Sequence, residues 1–366
     1  MAYVAVKGGR KAIEASIERL KYERCKNGPL LSFESVRGGM RSLMDQVMSE
    51  SSLYSEDLAA LAVKQGEGSP EEAVFLMRAF RSTLPRKHFS LEISTGAMTV
   101  ERRISAGFKD IPGGQVLGSS CDYTHRLLDY SLAEETEEDR QSFLSGFTAK
   151  PISGDIPGSF PKVVDYLRNE GLLSRPEPDE TEPKDVTKKN IEFPTSRSER
   201  LQILTRGQTG AVTALGYASL RGYGALHPTV GELRVGQVAV YVPDPLSGSR
   251  DLDESYYIGD VRVTEVETLI PVQVPRGQGR SEVEFELGYG ICFGQNETKA
   301  VAMSLLDHCL ETKDPRYPTH DEEFVLLHID SVEATGFISH LKLPHYVTFQ
   351  AKLDSVRKIK KGEDRE

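Results

Sequence analysis

The sequence has few cysteines and no long apolar run. Its four cysteines, Cys25, Cys121, Cys292 and Cys309, are far apart and form no C-x-x-C pair. We therefore predict free thiols and neither a disulfide framework nor a thiolate zinc finger. No apolar run approaches the roughly 20 residues needed to span a bilayer. Residues 1–9 lack the basic and apolar regions of a secretion signal, so a cytoplasmic protein with no membrane partner is expected.

The chain also lacks an excess of positive charge and several common motifs. It carries 45 Lys and Arg against 55 Asp and Glu, a formal net charge of -10. Nucleic-acid backbones are bound by basic faces, so no nucleic-acid partner is expected. A few convergent Arg or Lys side chains would still suffice for a small anionic substrate. The sequence contains no G-x-S-x-G or H-E-x-x-H motif, so the common hydrolase classes gain no support.

What is present is enough for a folded protein of two or three domains: 366 residues, of which 38% are hydrophobic and 27% charged. Residues 10–84 are predicted to be helical. The best-marked helix covers residues 70–84, because Ser69 can cap it, Pro70 suits its first turn and Glu72 can return the capping bond.

Residues 95–128 are rich in Gly, Pro and Arg and are interpreted as loops. Four cationic side chains in this stretch could together hold several phosphate oxygens. The alternative is a solvated basic edge that balances acidic neighbours. The four residues are Arg102, Arg103, Lys109 and Arg126.

The remaining sequence predicts a linker followed by an α+β region. Residues 131–195 are polar and acidic, with one short helix at 163–172, and are interpreted as a variable linker or insertion. Ser196 and Glu199 form a second capping box, which predicts a helix through 204 and another to 220. Gly288-Tyr289-Gly290 is interpreted as a turn at a strand end. Strands are predicted at 235–242, 256–270 and 283–293, and helices at 297–310 and 322–334.

The predicted fold class is therefore α+β, a helical N-terminal region followed by a mixed domain with an antiparallel sheet and flanking helices on one side. The three predicted segments are a mainly helical domain with Gly/Arg-rich loops (1–130), the linker or insertion (131–195) and an α+β C-terminal domain (196–366).

Two motifs near the C-terminus could carry chemistry. His340 and His345 form an H-x4-H pair in which Pro344 disfavours a regular helix or strand, so a turn could bring both imidazoles to one metal. Spacing alone also allows two structural or incidental loop histidines. Asp321, Glu322 and Glu323 are read as the favoured acidic start of a helix, or else as weak candidates for a carboxylate that steadies a cationic transition state.

Several ordered blocks of the sequence together resemble the I subunit of the carbon–phosphorus lyase system. They are spread over most of the chain, and only about residues 131–190 fall outside them. The blocks are YVAVKGG from Tyr3, ERRISAGFKDIPGGQVLG from Glu101, DYTHRLLDY from Asp122, SRSERLQ from Ser196, RGYGALHP from Arg221, GYGICFG from Gly288, DEEFVLLH from Asp321 and SHLKLPHY from Ser339.

The resemblance implies a core complex with G, H and J subunits, in which the I subunit forms a central pair beside the radical-SAM J subunit and an ATP-binding-cassette type subunit docks. It implies displacement of adenine from MgATP by a phosphonate, giving α-D-ribose 1-methylphosphonate 5-triphosphate. Alone, such subunits are implied to act as purine nucleosidases on ATP and GTP.

Carried over residue by residue, the family's metal ligands fall on His340 and His345, which implies a Zn²⁺ half-site completed by other ligands. The resemblance does not identify the acid or the carboxylate of the glycosyl transfer. Three classes therefore stay open: a catalytic subunit, a non-catalytic central scaffold that contributes the metal half-site, and a stand-alone metal hydrolase.

Overall fold

The computed structural model describes residues 8–147, 160–173, 181–223, 227–277 and 279–362. The chain divides into two compact units, each made of stretches that are distant in sequence. Unit 1 comprises Met1–Pro85, Lys184–Val212 and Glu322–Glu366, and unit 2 comprises Arg86–Pro183 and Thr213–Asp321. These interleaved units do not coincide with the predicted segments 1–130, 131–195 and 196–366. Most of the first resemblance block, and residues 224–226 of RGYGALHP, lie outside the described residues.

The α+β class is confirmed. The helices are α1 (Gly9–Cys25), α2 (Phe33–Gly39), α3 (Arg41–Ser51), α4 (Glu56–Gln65), α5 (Pro70–Thr83), α6 (Glu137–Gly146), α7 (Val163–Asn169), α8 (Arg197–Arg206), α9 (Thr209–Tyr223), α10 (Glu297–Thr312), α11 (Glu322–His328), α12 (Ser331–Ser339) and α13 (Tyr346–Lys361). The strands are β1 (Thr99–Ile104), β2 (Thr229–Val242), β3 (Tyr256–Pro275) and β4 (Ser281–Phe293). No helix among the described residues is long and apolar enough to cross a membrane.

Local capping chemistry places two helices of unit 1 where the sequence predicts them. The Ser69 hydroxyl accepts the Glu72 amide at the start of α5, with Pro70 in the first turn. At the start of α8, Ser196 and Glu199 satisfy each other's backbone amides, which is a complete capping box. Both predicted helices are confirmed. The core beside them is formed by apolar side chains of α2 to α5, including Val36, Val47, Val63, Val74 and Met77.

The single helix predicted at 322–334 is wrong, because α11 and α12 are separate helices. Asp330 lies between them and caps α12 by accepting the amides of Val332 and Glu333, each at 3.0 Å. Its carboxylate also binds the Arg78 guanidinium at 2.6 Å and Arg206 at 3.2 Å. Asp330 is 8% exposed, so this buried ion pair fixes the break between the two helices.

Unit 2 is built on a four-stranded antiparallel sheet in the order β1-β2-β3-β4. The three predicted strands correspond to β2, β3 and β4. Strand β1 lies within the stretch that we interpreted as loops, so that interpretation is wrong for Thr99–Ile104. Three consecutive charged residues, Glu101, Arg102 and Arg103, remove the apolar alternation by which a strand is predicted. Their partners lie far away in sequence, so the local sequence does not show that these charges are compensated.

One face of the sheet packs directly on α10. The Thr268 and Ser304 hydroxyls are 2.7 Å apart across this contact. Gly288 and Gly290 lie inside β4, so the predicted turn is wrong. A Cβ atom at either glycine would overlap a carbonyl oxygen of α10. The missing side chains therefore allow the helix to approach the strand.

The opposite face is covered by α7, so helices flank both sides of the sheet and not one. Val163, Val164 and Leu167 of α7 are buried, and Val164 and Leu167 pack with Leu269 of β3. The described residues 160–173, which we placed in a linker or insertion, therefore contribute to the core of unit 2.

Candidate functional site

The two histidines of the predicted metal site lie side by side. His340 ends α12 and His345 precedes α13, and their ring centroids are 5.5 Å apart at 61°. A short helical turn, His340–Lys342, and Pro344 separate α12 from α13, as the proline predicts. The structure thus brings these two imidazoles together in unit 1.

Hydrogen bonds orient both rings in the manner of metal ligands. The Nδ1 atom of His345 is 2.6 Å from the Leu343 carbonyl oxygen, and Nδ1 of His340 bonds the Phe337 carbonyl oxygen. A carbonyl only accepts, so in the neutral ring the proton lies on Nδ1 and the lone pair on Nε2. This is the tautomer in which a histidine coordinates a metal through Nε2. The residues fit one half of a Zn²⁺ site.

No group of three or more His, Cys, Asp or Glu that could hold a metal occurs in the described part of the chain. A tetrahedral zinc needs four ligands. The other ligands of a metal at His340 and His345 would therefore have to come from a partner chain, water or substrate.

The histidines lie within an apolar surface, which we call the C-terminal surface. Phe337 is 72% exposed and Val347 is 76% exposed. Single exposed apolar side chains are ordinary, but a group of them marks an interaction surface. None of the α13 residues is buried. The exposed apolar members of the C-terminal surface are Phe337, Ile338, Leu341, Leu343, Tyr346, Val347 and Phe349.

Two of the four predicted phosphate-binding residues share a carboxylate. Asp122 accepts from Arg102 at 2.8 Å and from Arg126 at 3.2 Å. Arg102 also binds Glu297, the first residue of α10, at 3.0 Å. Arg102 is 1% exposed, whereas Arg126 is exposed. A phosphate at this point would have to displace carboxylates that already hold the guanidinium groups.

The other two lie elsewhere in unit 2. Arg103 follows Arg102 on β1 and therefore faces the opposite side of the sheet. It is fully buried, is paired with Glu232 and donates to the carbonyl oxygens of Pro112 at 2.6 Å and Pro161 at 2.8 Å. Lys109 is exposed. The structure thus divides the predicted cluster between two faces of the sheet.

Glu322, one of the three weak carboxylate candidates, is held by two residues of unit 1. It accepts the Thr195 hydroxyl at 2.8 Å and lies 3.9 Å from Arg200. Asp321 and Glu323 are exposed. Glu322 and Glu323 form the first turn of α11, as the capping interpretation predicts.

Sequence reasoning missed a set of ionisable side chains on the α7-facing side of the sheet, four of them buried, which we call the charged layer. Its members come from β2, β3, β4 and the residue before α7. The charged layer comprises Lys162, Glu232, Arg234, Glu265, Glu267 and Tyr289.

Glu265 is the centre of the charged layer. It pairs with Arg234 across the strands and accepts from Lys162 Nζ at 2.8 Å, Thr95 Oγ1 at 2.6 Å and the Tyr289 hydroxyl at 3.0 Å. Burial alone would raise its pKa, but the attraction of Arg234 and Lys162 outweighs burial and lowers the pKa of Glu265 to about 2. Burial, and after it the negative charge of Glu265, raise the pKa of Tyr289.

Glu267, two residues along β3, has the opposite balance. It is 4% exposed, and Lys162 Nζ lies 3.6 Å away. Burial raises its pKa, Lys162 counteracts only part of this, and the negative charge of Glu265 adds to the rise, so the pKa of Glu267 is about 7. Two carboxyl groups on one face of one strand thus differ in protonation near neutral pH.

A pattern in the sequence contains the missing signal. Glu232 and Arg234, and likewise Glu265 and Glu267, are charges at alternate positions within apolar strands. Alternation puts each pair on one face, and β2 pairs with β3 so that Arg234 is opposite Glu265 and Glu232 opposite Glu267. Only the strand register shows that Arg234 meets Glu265, whereas Glu232 lies opposite a second carboxyl group and pairs with Arg103.

Comparison with known proteins places the chain in a family. Residues 2–363 match the family described as "Bacterial phosphonate metabolism protein (PhnI)". The chain belongs to this family, which confirms the resemblance found in the sequence.

Three curated relatives cover nearly the whole chain. The "Putative C-P lyase subunit protein HtxH" of Stutzerimonas stutzeri is 44% identical over 98% of this chain and 95% of its own length. Two proteins are named "Alpha-D-ribose 1-methylphosphonate 5-triphosphate synthase subunit PhnI". That of Rhizobium meliloti (strain 1021) is 43% identical over 99% of this chain and 96% of its own length. That of Escherichia coli (strain K12) is 41% identical over 99% of both chains.

Proposed function

We propose that the chain is a subunit of a carbon–phosphorus lyase core complex and takes part in displacing adenine from MgATP by a phosphonate. Similarity over nearly full length to two relatives named as subunits of the α-D-ribose 1-methylphosphonate 5-triphosphate synthase carries this proposal. A complex that consumes ATP works where ATP is present, so a cytoplasmic location belongs to the same proposal.

The named product defines the reaction. A phosphonate oxygen forms a bond to the anomeric carbon of the ribose while the bond from that carbon to the base nitrogen breaks. The electron pair of the broken bond stays on the base, which takes up a proton. ATP carries its base in the β position and the product is an α-ribose derivative, so a single displacement inverts the anomeric carbon. Mg²⁺ would accompany the triphosphate.

In the absence of a phosphonate, water can attack the same carbon. The lone chain is therefore proposed to be a slow purine nucleosidase that acts on ATP and GTP. Catalysis requires a proton donor for the base, negative potential near the sugar and orientation of the triphosphate. A positioned acid typically contributes about 10²–10⁴-fold, so orientation and electrostatics would supply the rest.

We further propose that His340 and His345 hold Zn²⁺ at an interface with the radical-SAM J subunit. The orientation of both imidazoles and the exposed apolar surface around them support this assignment. G and H subunits, an ATP-binding-cassette type subunit and a second copy of the chain are the other proposed partners. Should the chain release no base, the same geometry favours the alternative function, a non-catalytic scaffold that completes a metal site.

The test is incubation of the purified chain with MgATP, with adenine followed by chromatography, in the presence and absence of methylphosphonate and the G and H subunits. We expect slow adenine release by the lone chain and diversion to the ribose phosphonate when the partners and methylphosphonate are present. Absence of adenine under every condition would support the scaffold function instead.

The His340→Ala variant separates the two proposed sites. We expect it to release adenine normally but to abolish carbon–phosphorus cleavage by the assembled complex. The matched control is His328→Ala, since His328, like His340, bonds a backbone carbonyl and contacts a phenylalanine ring. Equal loss of both activities in His340→Ala would contradict two separate sites.

A further inference from the structure

Unit 2 contains a cavity of about 180 Å³ that no residue of the charged layer lines. Its walls come from the end of α9, strand β3, helix α10 and the segment before α11. Its apolar lining includes Ile270, Val272 and Leu305. Pockets that hold drug-sized ligands are larger, roughly 300–1,000 Å³. The cavity therefore suits a single ring system and not a whole nucleotide.

Flat rings line one side of this cavity. The rings of Tyr317 and His320 are 5.4 Å apart at 51°, and both residues are half-buried. Aromatic faces and apolar walls favour a flat, weakly hydrated ligand, because stacking adds to the burial of apolar area. A heteroaromatic base satisfies this shape better than a sugar or a phosphate does.

Two imidazoles supply polar groups at the cavity. His320 Nδ1 accepts the Asp314 amide at 3.3 Å, which leaves its proton on Nε2. Burial lowers the pKa of His320, and this favours the neutral ring. Nε2 of His308 donates to the Glu286 carboxylate at 2.7 Å, so Nδ1 of a neutral His308 is an acceptor. One donor and one acceptor match the edge of a purine, where acceptor nitrogens adjoin N–H groups.

We propose that this cavity is the subsite for the purine base of the nucleoside triphosphate, with Tyr317 and His320 against the ring. The assignment rests on the proposed function and names the part of the chain that holds the leaving group. It places the base beside α10, on the side of the sheet opposite the charged layer.

Adenine alone, without ribose or phosphate, is the probe that tests the cavity, and its binding to the full chain can be measured by calorimetry. The variant Val272→Phe fills the cavity from a half-buried strand position. The matched control is Val283→Phe on the neighbouring strand, where the side chain is exposed and does not line the cavity. We expect Val272→Phe to weaken adenine binding about tenfold or more, and Val283→Phe to bind as the wild type does.

A second variant removes the stacking ring without filling space. Stacking of one base on an aromatic side chain corresponds to roughly 5- to 150-fold in affinity, so we expect Tyr317→Ala to weaken adenine binding within that range. In the adenine-release assay, both cavity variants should raise the KM for ATP. Cytosine and inorganic triphosphate should not compete with adenine.

Two outcomes would overturn the subsite: wild-type chain that does not bind adenine, or Val272→Phe and Tyr317→Ala chains that bind it as the wild type does. If adenine release from ATP persists unchanged in both variants, the proposed function stands and the subsite is wrong. If adenine binds in the cavity but ATP is never cleaved, the subsite stands as a base-binding site and the proposed reaction is wrong.

Discussion

The charged layer and the C-terminal surface depart in opposite ways from the usual arrangement, in which charged side chains are exposed and large apolar side chains are buried. The charged layer keeps charges inside unit 2, where Arg234 is 1% exposed and Glu265 is 2% exposed. The C-terminal surface of unit 1 exposes large apolar side chains around His340 and His345. A buried charge is tolerated when its partners come from the same chain, and the charged layer supplies them.

The comparison indicates which region needs something outside the chain. In the charged layer, four donors already surround Glu265. At the C-terminal surface, the proposed zinc site would have two ligands from this chain, His340 and His345, where zinc needs four. We therefore expect changes in the charged layer to act on the stability of the lone chain, and changes at the C-terminal surface to act on metal and partner binding.

The largest effect on stability is expected from Arg234→Met. Removing this guanidinium leaves Glu265 buried without its cross-strand partner, which costs about 3–5 kcal/mol of unfolding free energy. The matched control is Arg276→Met, because Arg276 forms an exposed ion pair with Glu282 at 3.0 Å and such pairs contribute about 1 kcal/mol or less. Urea unfolding followed by circular dichroism measures both, and equal losses would show that the charged layer is not a stabilising element.

A pH-dependent effect is expected from Glu267→Gln. The pKa of Glu267 is raised from 4.5 to about 7, so the folded chain holds a proton that the unfolded chain has lost between these values. The wild type therefore loses stability as pH rises through this window, by up to about 3 kcal/mol. Glutamine does not titrate, so the unfolding free energy of the variant should rise relative to that of the wild type between pH 4 and pH 8.

Glu265→Gln is the control of opposite sign. The pKa of Glu265 is lowered to about 2, so its contribution to stability is present above pH 4.5 and is lost as pH falls toward 2. The variant should therefore be less stable than the wild type at neutral pH. Urea unfolding across pH 4–8 measures both variants. If both variants changed the unfolding free energy in the same direction, the pKa values of the two carboxyl groups would not be shifted in opposite directions.

Local sequence patterns predict parts of the fold, but they do not predict the charged layer. The ends of α5 and α8 depend on a cap and the residue three positions later, so a short pattern is enough to place them. The break at Asp330 depends on Arg78, which lies 252 positions earlier. Strand β1 likewise depends on ion pairs with distant residues, and its own sequence gives no apolar alternation.

The candidate site divides in the same way. Pro344 between two histidines predicts a turn, and the turn does bring His340 and His345 together. The grouping of Arg102 and Arg103 fails as a spatial cluster because neighbours on a strand face opposite ways. Glu265 and Glu267 could be noticed as alternating charges. Their opposite pKa shifts arise because burial raises both pKa values and Arg234 and Lys162 outweigh burial only at Glu265, and only the fold brings these groups near.

A smaller effect on the lone chain is expected from Val347→Asp on the C-terminal surface. The side chain is 76% exposed, so its unfolding free energy should change by no more than about 0.5 kcal/mol. Leu246→Asp, at a residue that is 92% exposed in unit 2, is the matched control. The J subunit should no longer co-purify with the Val347→Asp variant but should still co-purify with the Leu246→Asp variant. Recovery of the intact complex with both variants would exclude this surface as the interface.

An equally small effect on stability, and the sharpest on metal binding, is expected from His340→Ala. Its imidazole is half-buried at the end of α12, so unfolding free energy should stay within about 0.5 kcal/mol of the wild type. Loss of a supporting hydrogen bond to a metal ligand already costs about 10–100-fold in affinity, so loss of a ligand should weaken zinc binding by at least that factor. Competition with a chromophoric chelator measures it in the assembled complex, with His328→Ala as the control. Equal weakening in both variants would mean that the pairing of His340 with His345 has no part in holding the metal.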